Sequence, residues 1–181
     1  MAMAEGFRPL RRVEYDRLVE LGAFADERIE LLEGALVKMS PIGPPHSSAV
    51  QKLTELLVPP LLGRASVRIQ QPFAALDTSE PEPDIAVVAR GDYDEEHPAR
   101  AHLIIEVAES SLERDRGLKR RIYAEAGVSE YWIVNLPGRC IEVYRGAARG
   151  DYRAVTTVAH GESLSPLAFA DVRIAVSAVI K

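Results

Sequence analysis

Glu106 lies inside the run Leu103-Ile-Ile-Glu-Val, where a central strand leaves no room for a solvent-facing charge. An isolated buried carboxylate costs several kcal/mol unless something pairs with it. Glu106 is therefore a candidate site residue; the ordinary alternative is a position at the strand's end that points to water. Asp84 opens a second apolar run, Asp84-Ile-Ala-Val-Val-Ala, directly after Pro83, and proline keeps its predecessor extended. An Asp that simply ends a turn is the alternative there. The separation of Asp84 and Glu106 suits a strand, a loop and an adjacent strand, so both carboxylates can meet at one sheet edge, where α/β sheets place ligands. Two carboxylates so placed repel each other, and a shared proton or a bound cation resolves the repulsion. Few protein oxygens suit Mg2+ (with Mn2+ as a substitute), which keeps several waters and often uses substrate phosphate as a further ligand. The chemistry implied is metal-assisted attack on a phosphodiester.

Three further residues belong to this argument. On the helix expected after Glu106, positions 115, 118, 119, 122, 123 and 126 share one face, so Lys119 borders the apolar stripe. Either it snorkels and pairs with Asp115 at i−4, or its ammonium reaches the carboxylate pair, orienting water or stabilising developing negative charge. Glu30, between Ile29 and Leu31, is a third acid near the metal or an outward-facing strand position, whereas Glu33 is a turn residue. His46 opens a helix after a proline loop and is a surface residue or a substrate or metal-shell contact. Tyr123, Tyr131 and Trp132 are expected in the core. The densest basic stretch, Arg114, Arg116, Lys119, Arg120 and Arg121, is a solvated helix face or a phosphate-contacting one.

The elements that must position these residues are legible in outline. Val13 to Leu21 is an amphipathic helix closed by Gly22. Residues 28–32 and 35–39 are two strands joined by a tight Glu33-Gly34 turn. Pro41 to Pro45 is a loop, and a helix runs from about His46 until Pro59-Pro60 ends or kinks it. Strands follow at Val67–Phe73, Asp84–Ala89 and His102–Ala108, the last a central strand covered on both faces. Ser110 and Glu113 have capping-box spacing for the next helix, and Gly127 stops it. Glu130–Asn135 and Cys140–Tyr144 form a hairpin, with further strands at Tyr152–Val158 and Val172–Ile180. The unit from 102 to 135 is a strand–helix–strand crossover.

The chain's 181 residues fit one domain, 1–181, large enough to bury a core without a disulfide or structural metal. Its single cysteine, Cys140, excludes an intramolecular disulfide and a site of several thiolates, as suits a cytoplasmic protein. With 22 basic and 27 acidic residues the net charge is −5, so nucleic acid would have to be met by a local basic surface. The first twelve residues carry no apolar leader segment, and no run is long enough to cross a bilayer. Glycine-rich phosphate loops, a G-x-S-x-G elbow and a His-x-x-x-His zinc pair are all missing.

The ordered segments Arg28-Ile-Glu-Leu-Leu-Glu-Gly-Ala-Leu-Val-Lys-Met-Ser-Pro, His46, Pro83-Asp84-Ile, Ile105-Glu106-Val, Ser110 and the block from Asp115 to Asn135 resemble the bacterial putative restriction endonuclease family of the PD-(D/E)XK nuclease superfamily. The resemblance spans roughly residues 10 to 150, with 115–135 its most specific part. It implies an α/β, restriction-endonuclease-like core: a mixed β-sheet flanked by helices, with extra strands towards both ends. It further implies Mg2+ on Asp84 and Glu106, DNA as substrate and site roles for Glu30 and His46. The superfamily pattern places a lysine two residues after the acid, where this chain has Ala108; the resemblance then implies that Lys119 on the following helix takes over that role. A homodimer suits cutting of both strands of a duplex. The rival expectation is a catalytically inactive nucleic-acid or protein-binding module on the same fold.

Overall fold

The computed structural model describes residue 6 and residues 8–181. The reading of the first twelve residues as leaderless falls partly on residues 1–5 and 7, which lie outside the described residues. Helix α1 (Arg12–Glu20) ends at Leu21, and Gly22 takes φ 73°. The hairpin β1 (Ile29–Leu32) and β2 (Ala35–Lys38) pairs antiparallel and opposes Glu30 to Val37. Its two turn residues, Glu33 and Gly34, have φ 48° and 78°, the left-handed pair that a two-residue hairpin turn of matching twist requires.

Helix α2 spans Pro44–Leu61 and begins earlier than its apolar spacing indicates. Prolines at its start lack only N–H groups that the first turn leaves unbonded. Pro59 and Pro60 lie inside its last turn and do not end it sooner; burial of Leu57 and Leu61 holds that turn against the core. β3 covers only Ser66–Ile69, because Gln70 turns into the left-handed region at φ 49°. β4 (Ile85–Val88) and β5 (Leu103–Ala108) are buried throughout. The helix after β5 has three parts: α3 (Leu112–Arg114), a π-helical turn (Asp115–Lys119) and α4 (Arg120–Glu125). The expected capping box does not form. Ser111 is the N-cap and makes no side-chain cap bond, because its hydroxyl donates to Asp115 Oδ2 at 2.6 Å.

β6 (Glu130–Asn135), β7 (Cys140–Ala148) and β8 (Asp151–Ala159) complete a six-stranded sheet of order β3-β4-β5-β6-β7-β8. Only β5 and β6 run parallel, joined by the α3–α4 crossover; the other neighbours are antiparallel. The expected strand at Val172–Ile180 is instead a short β10 (Ile174–Ala175), paired with β9 (Ser163–Leu164), and a helical turn α5 (Val176–Val179). Packing of Val176, Val179 and Ile180 in the cluster that contains α2 outweighs the strand preference of β-branched residues.

Alternation along the central strands divides the core between the two faces. Ile85, Val87, Leu103, Ile105, Val107 and Trp132 join α2 and α5. Ala86, Val88, Ile104, Ala108, Tyr131 and Ile133 join Tyr123 and Ala124 of α4. Glu106, between Ile105 and Val107, therefore belongs to the α4 face. The result is the expected α/β architecture with a mixed sheet flanked by helices. Among the described residues no helix is long and apolar enough to cross a membrane.

Candidate functional site

Ile85 pairs with Ile105 across the antiparallel β4–β5 ladder. One more step of that register sets Asp84 opposite Glu106, so sheet geometry alone brings the two acids together. Asp84 is 8% exposed and Glu106 4%, which excludes the water-facing alternative for Glu106. Asp84 Oδ2 accepts the backbone N–H of Val107 at 2.8 Å and lies 3.0 Å from His46 Nε2. Its Oδ1 accepts Gln70 Nε2 at 3.1 Å. Burial alone would raise the Asp84 carboxyl; the contacts from His46, Val107 and Gln70 overcome it and hold the group below its ordinary value.

Glu106 has the opposite balance. Its Oε1 accepts Tyr123 Oη at 2.6 Å and Lys119 Nζ at 3.0 Å. Burial pushes it up to about 8, with the charges of Asp115, Asp84 and Glu30 adding and that of Lys119 opposing. Lys119 Nζ also lies 3.0 Å from Glu30 Oε2. Burial works against the Lys119 ammonium, yet Glu106, Glu30 and Asp115 raise it above the ordinary lysine value. Lys119 thus pairs with Glu106 of the expected carboxylate pair and with Glu30, with no ion pair to Asp84, and the snorkelling pair with Asp115 does not form. The π-helical turn carries both Asp115 and Lys119 in buried positions; such turns widen the helix and recur at functional sites.

Glu30 is fully buried, its Oε2 shared by Lys119 and the Glu82 N–H while Oε1 has no hydrogen-bond partner. His46 reaches Asp84 from the first turn of α2, and its Nδ1 is likewise buried without a partner. All five sequence-derived candidates, Glu30, His46, Asp84, Glu106 and Lys119, line one cavity of about 70 Å³, with Ser40, Gly43, Ser111, Arg114 and Asp115 among its other walls. Gln70 is not among the sequence-derived candidates, and its left-handed backbone has no advance signal in its residue type. The Tyr123 ring is fully buried, as expected of a core residue, but its hydroxyl also serves Glu106.

Asp84 and Glu106 are the residues of this cavity that could hold a divalent ion. Among the described residues no three His, Cys, Asp or Glu side chains could hold a metal by themselves. Mg2+ needs only one or two carboxylates beside water and phosphate. Asp84 and Glu106 supply two, and Glu106 Oε2 is not engaged by Tyr123 or Lys119.

The crystal structure of a putative nuclease belonging to DUF820 from Anabaena variabilis is similar, with a TM-score of 0.75 at 13% identity, covering 94% of this chain and 97% of that one. No curated protein matches. The profile of the Uma2 family, described as "Putative restriction endonuclease", matches residues 12–177, and the chain belongs to that family.

Proposed function

We propose that this protein is a Mg2+-dependent DNA endonuclease. The observation that carries the reading is the convergence of Glu30 and Glu106 on Lys119 Nζ, each at 3.0 Å, beside Asp84 in one solvent-reaching cavity. Asp84 and Glu106 would hold the ion. When bound it supplies Lewis-acid polarisation of the scissile phosphate and an activated water. The hydrolysis forms a bond from water oxygen to phosphorus and breaks one P–O ester bond; the leaving oxygen takes up a proton. Lys119 places a fixed positive charge where the pentavalent phosphate gathers negative charge. Glu30 keeps that ammonium aimed, and His46 and Gln70 fix the orientation of Asp84. Two copies related by a two-fold axis would cut both strands.

Plasmid cleavage with Mg2+ tests the reading against EDTA, Asp84→Ala and Lys119→Ala. Wild type is expected to nick or linearise the plasmid only with the metal, and both variants to lose at least a hundredfold in rate. If all three proteins cut alike, the cutting is contamination and the proposal fails. Calorimetric titration with Mg2+ or Mn2+ separates the rival: no binding up to millimolar concentrations favours a non-catalytic binding module.

A further inference from the structure

The cations of the α3–α4 segment are unequally engaged. Arg116 pairs with Glu142 at 2.6 Å, Arg120 with Asp151 at 3.3 Å and Arg121 with Glu33 at 2.7 Å. Lys119 is taken by Glu30 and Glu106. Most of the basic run is therefore neutralised within the molecule and is not a free phosphate-binding face. Arg114 differs. It is the last residue of α3, it lines the cavity of Asp84 and Glu106, and among the described residues it makes no ion pair. Its Nε is buried without a hydrogen-bond partner, a donor removed from water with nothing to replace the lost bond. The other basic side chains on the cavity wall, Lys119 aside, are committed too: Arg28 lies 3.2 Å from Glu82, and His46 Nε2 3.0 Å from Asp84. The wall also carries Glu30, Glu82, Asp84, Glu106, Glu109 and Asp115. A polyanion entering so acidic a cavity needs a cation that no carboxylate already holds.

We infer that Arg114 forms a backbone-phosphate subsite, its guanidinium binding the non-bridging oxygens of a DNA phosphate next to the scissile one. This deepens the nuclease reading and rests on it for the identity of the ligand. Arginine suits the role because its planar fork meets two phosphate oxygens at once, and the partnerless Nε gains a bond that the free protein lacks. Arg114 acts here as a substrate-positioning residue; the bond-breaking step stays with the carboxylates and Lys119.

The test is fluorescence anisotropy of a labelled duplex oligonucleotide with Ca2+ in place of Mg2+, repeated from low to physiological salt. The proteins are wild type, Arg114→Ala, Arg114→Lys and Arg173→Ala, the last at an exposed arginine that does not line the cavity. Arg114→Ala is expected to bind about tenfold more weakly on every sequence tried. The slope of log affinity against log salt should shrink by about one. Arg114→Lys should recover part of the affinity, as a point charge without the fork, and Arg173→Ala should match wild type. An Arg114→Ala protein with wild-type affinity and salt slope overturns the inference, as does an equal loss in Arg173→Ala or a wild type that binds no duplex. The two proposals fail separately. If wild type binds DNA through Arg114 but never cuts with Mg2+, the subsite stands and the nuclease reading falls. If wild type cuts with Arg114→Ala binding unchanged, the reverse holds.

Discussion

Removing the buried ammonium of Lys119 tests the physical account of the site independently of any activity. In Lys119→Met, Glu30 and Glu106 lose a cation that lies 3.0 Å from each, in a place where the three side chains are 4%, 0% and 6% exposed. Stripping one partner from a buried ion pair typically costs about 3–5 kcal/mol. For a domain of this size each kcal/mol lowers the melting temperature by about 2–4 °C, so the fall should be roughly 6–20 °C. The pH dependence has a definite sign. Glu106 has a folded value raised from 4.5 to about 8, so its contribution is full below 4.5 and is lost as pH rises through 8. Without Lys119, which lowers Glu106, the carboxyl stays protonated to higher pH and the decline extends beyond 8. Urea unfolding from pH 5 to 9 measures both effects. Above pH 5 the double variant Glu106→Gln with Lys119→Met should recover at least about 1 kcal/mol relative to Lys119→Met alone, because position 106 no longer has to take up a proton on folding. A loss below about 1 kcal/mol, the same at every pH and without coupling, would mean a hydrated ammonium and would refute the caged-cation argument.

Three other outcomes are expected. Tyr123→Phe keeps the buried ring but removes the 2.6 Å bond to Glu106; thermal unfolding should register a loss of about 1–2 kcal/mol, and wild-type stability would show that the hydroxyl bears no load. Gly34→Ala puts a Cβ 2.3 Å from Pro9 Cβ at a φ of 78°, which should cost about 1–3 kcal/mol in denaturant unfolding and loosen the hairpin that carries Glu30. Glu80 is pushed up to about 7, by burial first and then by Asp16. Its contribution is full below 4.5 and lost as pH rises through 7, so Glu80→Gln should equal wild type near pH 5 and exceed it by about 1–3 kcal/mol at pH 8.

The order of elements and the central place of β5 are legible locally, and the meeting of Asp84 with Glu106 follows once the two adjacent strands pair. Hydrophobic run length marks the strands, and a side-chain period of two leaves adjacent strands only a few ways to register. The hairpin turn at Glu33-Gly34 and the stop at Gly127 were equally local, because residue type sets which backbone conformations are cheap. What the tertiary structure alone decided are contacts between distant segments. Nothing in the pattern around Ile29-Glu-Leu says that Glu30 will meet a lysine from the crossover helix. Lys119 itself could have closed on Asp115 four residues earlier, and it turns to the sheet where a π-helical turn replaces the α-helical spacing. Gln70 finds Asp84 by leaving its strand in a strained conformation, and Val176 to Ile180 become helical because α2 offers them a surface to bury against. Local chemistry specifies the pieces; which buried charge neutralises which is set by how the packed layers close, where leaving a carboxylate unpaired costs more than any local preference can offset.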